Sequence, residues 1–187
     1  GTYYLQIIDG IGCESFDTIT ITEPTEIVAS FTSINSNCNA CDGSATVSVS
    51  GGTSTVGYNY VWSNSNTTTN AIDLCSGIYS LSVTDDANCT ITAYVGVNDN
   101  GGPLGEVLTI NNPSCAGLDN GSVSVSGTGG VAPYVYYWPF NGGVGSSLSN
   151  LSAGVYFVEI TDQTGCTKVA EAIVVDPAMI SLASTVI

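Results

Sequence analysis

A motif of 13 residues occurs three times in this chain and restricts its fold more than any other feature. The copies are GTYYLQIIDGIGC at 1–13, GIYSLSVTDDANC at 77–89 and GVYFVEITDQTGC at 154–166. Between the glycine and the aspartate, apolar and polar residues alternate, which is the period of a half-buried strand. The residue before each cysteine is Gly or Asn, which predicts a positive φ in a hairpin turn. Each copy is therefore predicted to be a strand followed by a tight turn.

The spacing of the motifs predicts the domain organisation. The motif cysteines are separated by 89 − 13 = 76 and 166 − 89 = 77 residues, so the repeating unit is about 77 residues long. Two complete repeats are expected, at 25–99 and 100–177. Residues 1–24 are interpreted as the closing strands of a preceding repeat, and 178–187 as the first strand of a following repeat. We therefore expect the chain to be a section of a longer array.

The pattern within each repeat predicts the fold class. About seven short strands are bounded by turn signals every 8 to 12 residues or so, and no segment has helical periodicity. Each repeat has the order Cys, Trp, Cys, which is similar to immunoglobulin domains, although no Tyr lies two residues before the second Cys to make a tyrosine corner. The prediction is an all-β chain of tandem immunoglobulin-like β-sandwich domains, stabilised by disulfides.

The cysteines indicate an oxidising compartment, because the chain has seven of them and only one Lys or Arg. Equal spacings of 51 residues (89 − 38 and 166 − 115) predict one disulfide inside each complete repeat. A second pair is predicted in 25–99, because 100–177 lacks both corresponding cysteines. The predicted disulfides are Cys38–Cys89, Cys115–Cys166 and Cys41–Cys75, with the partner of Cys13 lying before residue 1.

Metal binding is the alternative role for some of these side chains. Cys38 and Cys41 have CxxC spacing, but the chain has no second CxxC and no His, so a zinc site would need Cys75 and Cys89. Disulfide formation is favoured over zinc binding on compartment grounds. Structural calcium at the domain joints is a further alternative to a plain polar linker, since carboxylates and Asn carbonyls bind hard cations. Its candidate ligands are Asn98, Asp99, Asn100 and Asp176.

Charge and composition exclude several classes of function. With 16 acidic residues and a net charge of −15, the chain repels phosphate backbones and anionic headgroups, which argues against nucleic-acid and membrane-surface binding. The sequence contains no run of about 18 apolar residues, so no segment is predicted to insert into a membrane. The absence of His excludes the usual nucleophilic triads. Asp85 and Asp86 are expected to cap a turn and to be solvated. No catalytic residue and no cofactor are predicted.

Two matching aromatic segments are candidates for sugar binding, because aromatic faces stack on sugar rings. YNYVW at 58–62 and YVYYW at 134–138 each place alternate aromatic side chains on one face. Because this face recurs in both repeats, it is predicted to pack in the core. Tyr137 lies outside that alternation and is therefore the candidate for an exposed glycan contact.

An ordered set of motifs resembles a known family. It comprises CDGSATVSVSGGT at 41–53, YNYVWSN at 58–64, LCSGIYSLSVTDDANC at 74–89 and a terminal EP or DP. The set resembles the SprB repeat of bacterial gliding adhesins and other giant surface proteins. The resemblance implies tandem immunoglobulin-like domains on a secreted filament that contacts substrata, usually exported by the type IX route. Asp17-Thr18-Ile19 also resembles the O-glycan acceptor of surface proteins in such bacteria, which makes Thr18 a glycosylation candidate.

The expected function is a structural and adhesive segment of a long extracellular filament on the bacterial surface. Its expected partners are neighbouring repeats and a surface polysaccharide or substratum. One alternative is a pilin-like subunit that polymerises by strand donation, with 178–187 completing the sheet of another chain. The other alternative is a carbohydrate-binding module beside a secreted enzyme.

Overall fold

Strands and connecting turns form the described part of the chain, which in this computed structural model is residues 1–103 and 105–178, with no helix among them. In chain order the strands are β1 (Thr2–Ile8), β2 (Glu14–Thr20), β3 (Val28–Ile34), β4 (Ser36–Asn37), β5 (Gly43–Ser50), β6 (Asn59–Trp62), β7 (Asn70–Leu74), β8 (Gly77–Thr84), β9 (Thr90–Val97), β10 (Asp99–Asn100), β11 (Gly105–Asn111), β12 (Gly121–Thr128), β13 (Val135–Trp138), β14 (Gly143–Val144), β15 (Ser147–Leu151), β16 (Gly154–Thr161) and β17 (Thr167–Val174). The predicted all-β class is confirmed.

The first sandwich consists of two three-stranded antiparallel sheets, with strand orders β3-β5-β7 and β6-β8-β9. These orders correspond to the A-B-E and C-F-G strands of an immunoglobulin domain. Alternation along β5 directs Ala45 and Val47 inward, and both are buried. They belong to the same core cluster as Trp62, which is 2% exposed. The core is therefore made by the period-2 pattern visible in the sequence.

The second sandwich repeats this arrangement with one additional short strand. Its sheets have the orders β11-β12-β15 and β14-β13-β16-β17. Trp138, Val158 and Ile160 are each 0% exposed and lie in one core cluster. The predicted tandem immunoglobulin-like sandwiches are thus confirmed as the fold class.

β1 and β2 form an antiparallel hairpin with register from Thr2↔Thr20 to Ile8↔Glu14. Its apolar side chains are exposed, including Leu5 at 47% and Ile7 at 56%. The corresponding residues of β16, Val158 and Ile160, are fully buried. The hairpin therefore has the apolar face of a sandwich sheet. The predicted domain bounds stay a prediction, and residues 179–187 of the predicted final strand lie outside the described residues.

The turn after each motif strand is built around its aspartate. Oδ1 of Asp162 accepts hydrogen bonds from the backbone N–H of Thr164 (2.8 Å) and Cys166 (3.1 Å). Asp9 and Asp85 bind their own turns in the same way. The residue before each cysteine has positive φ, as predicted: Gly12 (88°), Asn88 (63°) and Gly165 (88°). These three hairpin turns are thus one local structure, which needs Gly or Asn at that position.

A tyrosine contact fixes the start of the motif strand in both sandwiches. The hydroxyl of Tyr79 donates to the carbonyl of Cys75 at 3.0 Å, and that of Tyr156 donates to Ser152 at 2.9 Å. A bond of this kind, to the backbone a few residues upstream of the F strand, is the tyrosine corner of immunoglobulin folds. The expectation that the corner is absent is therefore wrong. The motif cysteine lies in the turn after the strand, so its spacing to the tyrosine differs from that in antibodies.

Candidate functional site

The turn that follows β3 meets the C-terminal end of the first sandwich, at the side facing the second sandwich. β4 pairs in parallel with β10, so Ser36 lies opposite Asp99. Ser36 is buried, and its hydroxyl donates to the carbonyl of Ala40 at 2.6 Å. Asp42 Oδ1 accepts from the backbone N–H of Asn37 at 2.7 Å. We call residues 35–42 the first turn, which is thereby folded against the end of its own repeat.

A disulfide joins this first turn to the second sandwich. It links Cys38 to Cys166, which are 128 residues apart in sequence. The structure also contains the predicted disulfide between Cys41 and Cys75. Cys13, Cys89 and Cys115 are exposed and have no disulfide partner among the described residues.

The link between Cys38 and Cys166 corrects the predicted pairs Cys38–Cys89 and Cys115–Cys166. Cys38 lies beside the end of its repeat, whereas Cys89 lies in the hairpin turn next to Glu23–Ile27, where that repeat begins. A spacing of 51 residues recurs in both repeats because each cysteine recurs with the repeat. A bond between successive repeats has the same periodicity, so spacing alone does not distinguish the two connectivities.

We call the contact region between the two sandwiches the joint. Polar side chains of the first sandwich cover the edge of the second sandwich there. Oδ1 of Asn98 accepts from the backbone N–H of Val169 at 2.7 Å, and Oδ2 of Asp99 accepts from that of Thr167 at 2.8 Å. Both donors lie on β17, which is the edge strand of its sheet. Asn39 adds a hydrogen bond from Nδ2 to the carbonyl of Thr164, at 3.2 Å. Edge donors that would otherwise be open to another strand are thus occupied.

An aromatic cluster also crosses the joint. Tyr94 of β9 lies 4.9 Å from Phe140 and 5.9 Å from Phe157, measured between ring centroids. Phe157 is only 8% exposed, although the neighbouring Val158 is the residue that points into the core. Edge-to-face pairs of this kind contribute roughly 0.5–1.5 kcal/mol beyond their buried area. The joint therefore combines a covalent bond, hydrogen bonds and apolar packing.

Glu159 is a partly buried ionisable group at this joint. It lies near Gly77, and a Cβ built on that glycine would be 3.4 Å from Oε1 of Glu159. Burial raises the pKa of Glu159, and a weaker effect of the Ile78 backbone N–H lowers it. The carboxyl of Glu159 is therefore more easily protonated in the folded joint than in the unfolded chain.

We expect the joint to become more stable when the pH falls from 7 to 5. Because the folded-state pKa of Glu159 lies above the reference value of 4.5, its contribution is fully present below that value and is lost as the pH rises through the folded-state pKa. The melting temperature should therefore rise between pH 7 and pH 5. Glu159→Gln should lack that rise, whereas Glu171→Gln, on an exposed part of β17, should retain it. Equal rises in both variants would contradict this assignment.

The carboxylates of the hairpin turns bind a second loop of each sandwich. Asp85 is 2% exposed, and its Oδ2 accepts from the backbone N–H of Thr53 at 2.8 Å. The hydrogen bond from Thr53 is the main reason why the pKa of Asp85 is lowered. Asp86 Oδ2 accepts from the backbone N–H groups of Thr55 (2.6 Å) and Val56 (2.9 Å), which lower its pKa. The capping role is as predicted, but Asp85 is buried rather than solvated. A general acid would need a raised pKa instead.

Asp162 offers a direct test of the turn. Its Oδ2 accepts from the backbone N–H of Val131 at 3.0 Å, in addition to the bonds within the turn. Asp162→Ala leaves these donors without an acceptor and should lower the melting temperature of the second sandwich by roughly 5 to 10 °C. Gln163→Ala, at an exposed position of the same turn, should lower it by no more than about 2 °C. Similar losses in the two variants would show that the carboxylate is not what holds the turn.

The calcium candidates lie at two places, as predicted, and Asn98, Asp99 and Asn100 line one cleft at the joint. Asn98 and Asp99 bind β17, and Asn100 pairs through its backbone with β4. Asp176 lies at the far end of the second sandwich, where its Oδ2 accepts from the N–H of Gly117 at 3.1 Å. In residues 1–103 and 105–178, no group of three or more His, Cys, Asp or Glu side chains is placed to hold a metal. Calcium binding stays a prediction.

The aromatic segments have one buried and one exposed face, as their alternation predicts. Trp62 and Trp138 are buried, and their indole Nε1–H groups donate to the carbonyls of Thr68 (2.8 Å) and Gly145 (3.0 Å). Tyr137 is 43% exposed. Sugar binding at Tyr137 and glycosylation of Thr18, which is exposed on β2, stay predictions.

Fold and joint together define tandem immunoglobulin-like sandwiches joined by a disulfide. Within this class, the SprB repeat family profile matches residues 30–67 and 107–143. One match lies in each sandwich, so the resemblance to SprB repeats is confirmed in both.

Solved structures with low similarity accompany the family match. One contains Dpr2 Ig1-Ig2 in complex with DIP-Theta Ig1-Ig3, with 10% identity, coverage of 93% of this chain and 72% of that chain, and a TM-score of 0.29. Another contains domains 4 and 5 of the S-layer protein SbsC, with 14% identity, coverage of 82% and 100%, and a TM-score of 0.27. No curated protein sequence matches the chain significantly.

Proposed function

We propose that this chain is a structural and adhesive segment of a secreted bacterial surface filament. The joint is the observation that carries the proposal. Two small sandwiches are held end to end by the disulfide between Cys38 and Cys166, by the occupied edge of β17 and by the aromatic cluster. A joint of this kind transmits tension from one sandwich to the next. The finer role is that of a gliding adhesin, displayed at the cell surface and in contact with a substratum or surface polysaccharide.

Charge and local chemistry support a role without catalysis. A net charge of −15 keeps a long fibre soluble and discourages lateral association. The carboxylates of the hairpin turns accept backbone hydrogen bonds and have lowered pKa values. No helix among the described residues is long and apolar enough to span a membrane. The proposed partners are accordingly other repeats and the surface that the filament contacts.

Labelling of intact bacteria tests this proposal. Antibodies raised against residues 25–177 should label cells of the producing strain, and their Fab fragments should reduce attachment to glass severalfold relative to a non-binding Fab. The reduced, denatured polypeptide from these cells should have a mass many times 19.1 kDa. Unlabelled cells, or attachment unaffected by bound Fab, would overturn the adhesive role.

A polymer assembled by strand donation is the second candidate, and the first hairpin favours it. The hairpin is a sheet of only two strands on which Leu5 and Ile7 are exposed, so a strand from another chain can pair with its edge. A reduced mass close to 19.1 kDa, together with large assemblies before denaturation, would support this candidate over a covalent array.

A further inference from the structure

Cys89 and Cys115 occupy the same repeat positions as the two cysteines that bridge the joint. Cys89 corresponds to Cys166 (166 − 89 = 77), and Cys115 corresponds to Cys38 (115 − 38 = 77). Cys38 and Cys166 are bonded to each other, whereas Cys89 and Cys115 are exposed thiols.

The turn of Cys115 has the same location in its sandwich as the turn of Cys38, although side-chain hydrogen bonds take the place of the β4–β10 pairing. In the second sandwich the turn that contains Cys115 is held against the end of its own repeat. Asp176 Oδ2 accepts from the N–H of Gly117, and Asn112 Oδ1 accepts from the N–H of Val175, both at 3.1 Å. Cys115 is therefore presented at the C-terminal end of its sandwich, as Cys38 is at the end of the first.

Cys89 has the same position in its hairpin turn as Cys166, but the place beside it is open. Cys89 lines a cleft of about 340 Å³ together with Glu23–Ile27, the segment that leads into the first sandwich. The corresponding segment, 100–103, contacts the turn of Cys166 so closely that a Cβ at Gly102 would lie 2.9 Å from Cys166 Cβ. The first turn, through Cys38, completes that contact. Beside Cys89, no turn from residues 1–103 or 105–178 occupies the corresponding place.

We propose that Cys89 and Cys115 form the same disulfide with other repeats of this type. Cys115 pairs with the hairpin-turn cysteine of the repeat that follows, and Cys89 pairs with the first-turn cysteine of the repeat that precedes. Every joint of the array is then bridged once. This inference rests on the proposed tandem filament.

The chemistry is an oxidation by thiol–disulfide exchange. The thiolate of one cysteine attacks an oxidised thiol–disulfide oxidoreductase and forms a mixed disulfide. The thiolate of the partner cysteine then displaces the oxidoreductase sulfur. One S–S bond forms between the repeats, two protons are released from the cysteines, and the two electrons reduce the disulfide of the oxidoreductase to a dithiol.

The cysteines of the joint recur in both repeats, whereas the apolar residues of the joint do not. The interface residues Phe157, Glu159 and Val169 of the second sandwich correspond, 77 positions earlier, to Ser80, Ser82 and Thr92 of the first. Apolar packing of the observed kind is therefore not repeated at the N-terminal side of the first sandwich. The cysteines recur, so the covalent bond is the contact that different joints have in common.

Peptide mapping of the native protein tests the proposal. Surface protein from the cells would be alkylated without reduction, digested at low pH and analysed for linked peptides by mass spectrometry. The Cys115 peptide should be linked to a hairpin-turn peptide of another repeat, and the Cys89 peptide to a first-turn peptide. The links Cys38–Cys89 or Cys115–Cys166, a bond between Cys89 and Cys115 of one chain, or alkylated free thiols at both positions would overturn it.

A thiol count on the recombinant 187-residue chain is the matched measurement. Cys13, Cys89 and Cys115 should react with a thiol reagent in the folded state. Cys89→Ser and Cys115→Ser should leave the melting temperature within about 1 °C of the parent, because neither thiol has a partner there. Reactive thiols at Cys38 and Cys166 would overturn the proposal, because it is argued from the disulfide between these two residues. A mass near 19.1 kDa for the reduced native polypeptide would contradict the tandem filament. The peptide map would still show whether Cys89 and Cys115 form the proposed disulfides.

Discussion

Reduction should lengthen the unfolded chain by about 450 Å when it is pulled between residues 25 and 177. The disulfide between Cys38 and Cys166 closes a loop of 128 residues, and only the segments outside that loop can extend while the bond is intact. An extended residue spans about 3.3–3.6 Å, which gives roughly 450 Å for the loop. Single-molecule force spectroscopy with and without a reducing agent measures this difference directly.

The size of the change distinguishes the two cysteine connectivities. The disulfides Cys38–Cys89 and Cys115–Cys166 would instead close two loops of 51 residues. Their reduction would lengthen the unfolded chain by only about 360 Å. A double variant, Cys38→Ser with Cys166→Ser, keeps the 34-residue loop of Cys41–Cys75 and should extend about 330 Å further than the oxidised parent. Cys41→Ser with Cys75→Ser is the control, since that loop lies inside the larger one. This control should extend like the oxidised parent.

A bridge of this kind matters because each sandwich is small. A β domain of about 77 residues buries a limited core, and small domains of this size commonly depend on disulfides. In the chain-entropy model, closing a loop of 128 residues contributes about 5 kcal/mol. Here the bond also prevents the two sandwiches from separating, which a disulfide inside one sandwich would not do.

The strands and turns of both sandwiches could be predicted because they depend on neighbouring residues. Alternation along β5 and β12 buries the corresponding positions in both sandwiches. Gly12, Asn88 and Gly165 mark the positive-φ position of each hairpin turn. Local period and turn chemistry therefore suffice for these elements.

The joint could not be predicted in the same way, because its contacts connect different repeats. A disulfide between successive repeats recurs with the same spacing as one within a repeat, so Cys38 had two equally periodic partners. Tyr94, Phe140 and Phe157 form a cluster of residues that do not recur as a set, so comparison of the repeats does not reveal them. Only the placement of one sandwich beside the other brings these side chains together.

The largest effect of one substitution is expected at Trp138, the centre of the second core. Its side chain is 0% exposed, and its indole Nε1–H donates to the carbonyl of Gly145 at 3.0 Å. Trp138→Ala removes this packing and leaves that carbonyl without its donor, so it should destabilise the second sandwich by about 3–5 kcal/mol. Chemical denaturation followed by far-UV circular dichroism should show an early transition. Fluorescence of Trp62, then the sole tryptophan, should report a later transition for the first sandwich.

Tyr137→Ala is the matched control, because Tyr137 is adjacent on β13 and faces the opposite side of the sheet. It is 43% exposed, so its truncation should change stability by no more than about 0.5 kcal/mol. If Tyr137→Ala destabilises the second sandwich as much as Trp138→Ala, the outer face of this sheet is packed as tightly as the core. Tyr137 could then not serve as an exposed glycan contact. A small effect instead leaves Tyr137→Ala as a stable variant in which glycan binding can be measured separately from folding.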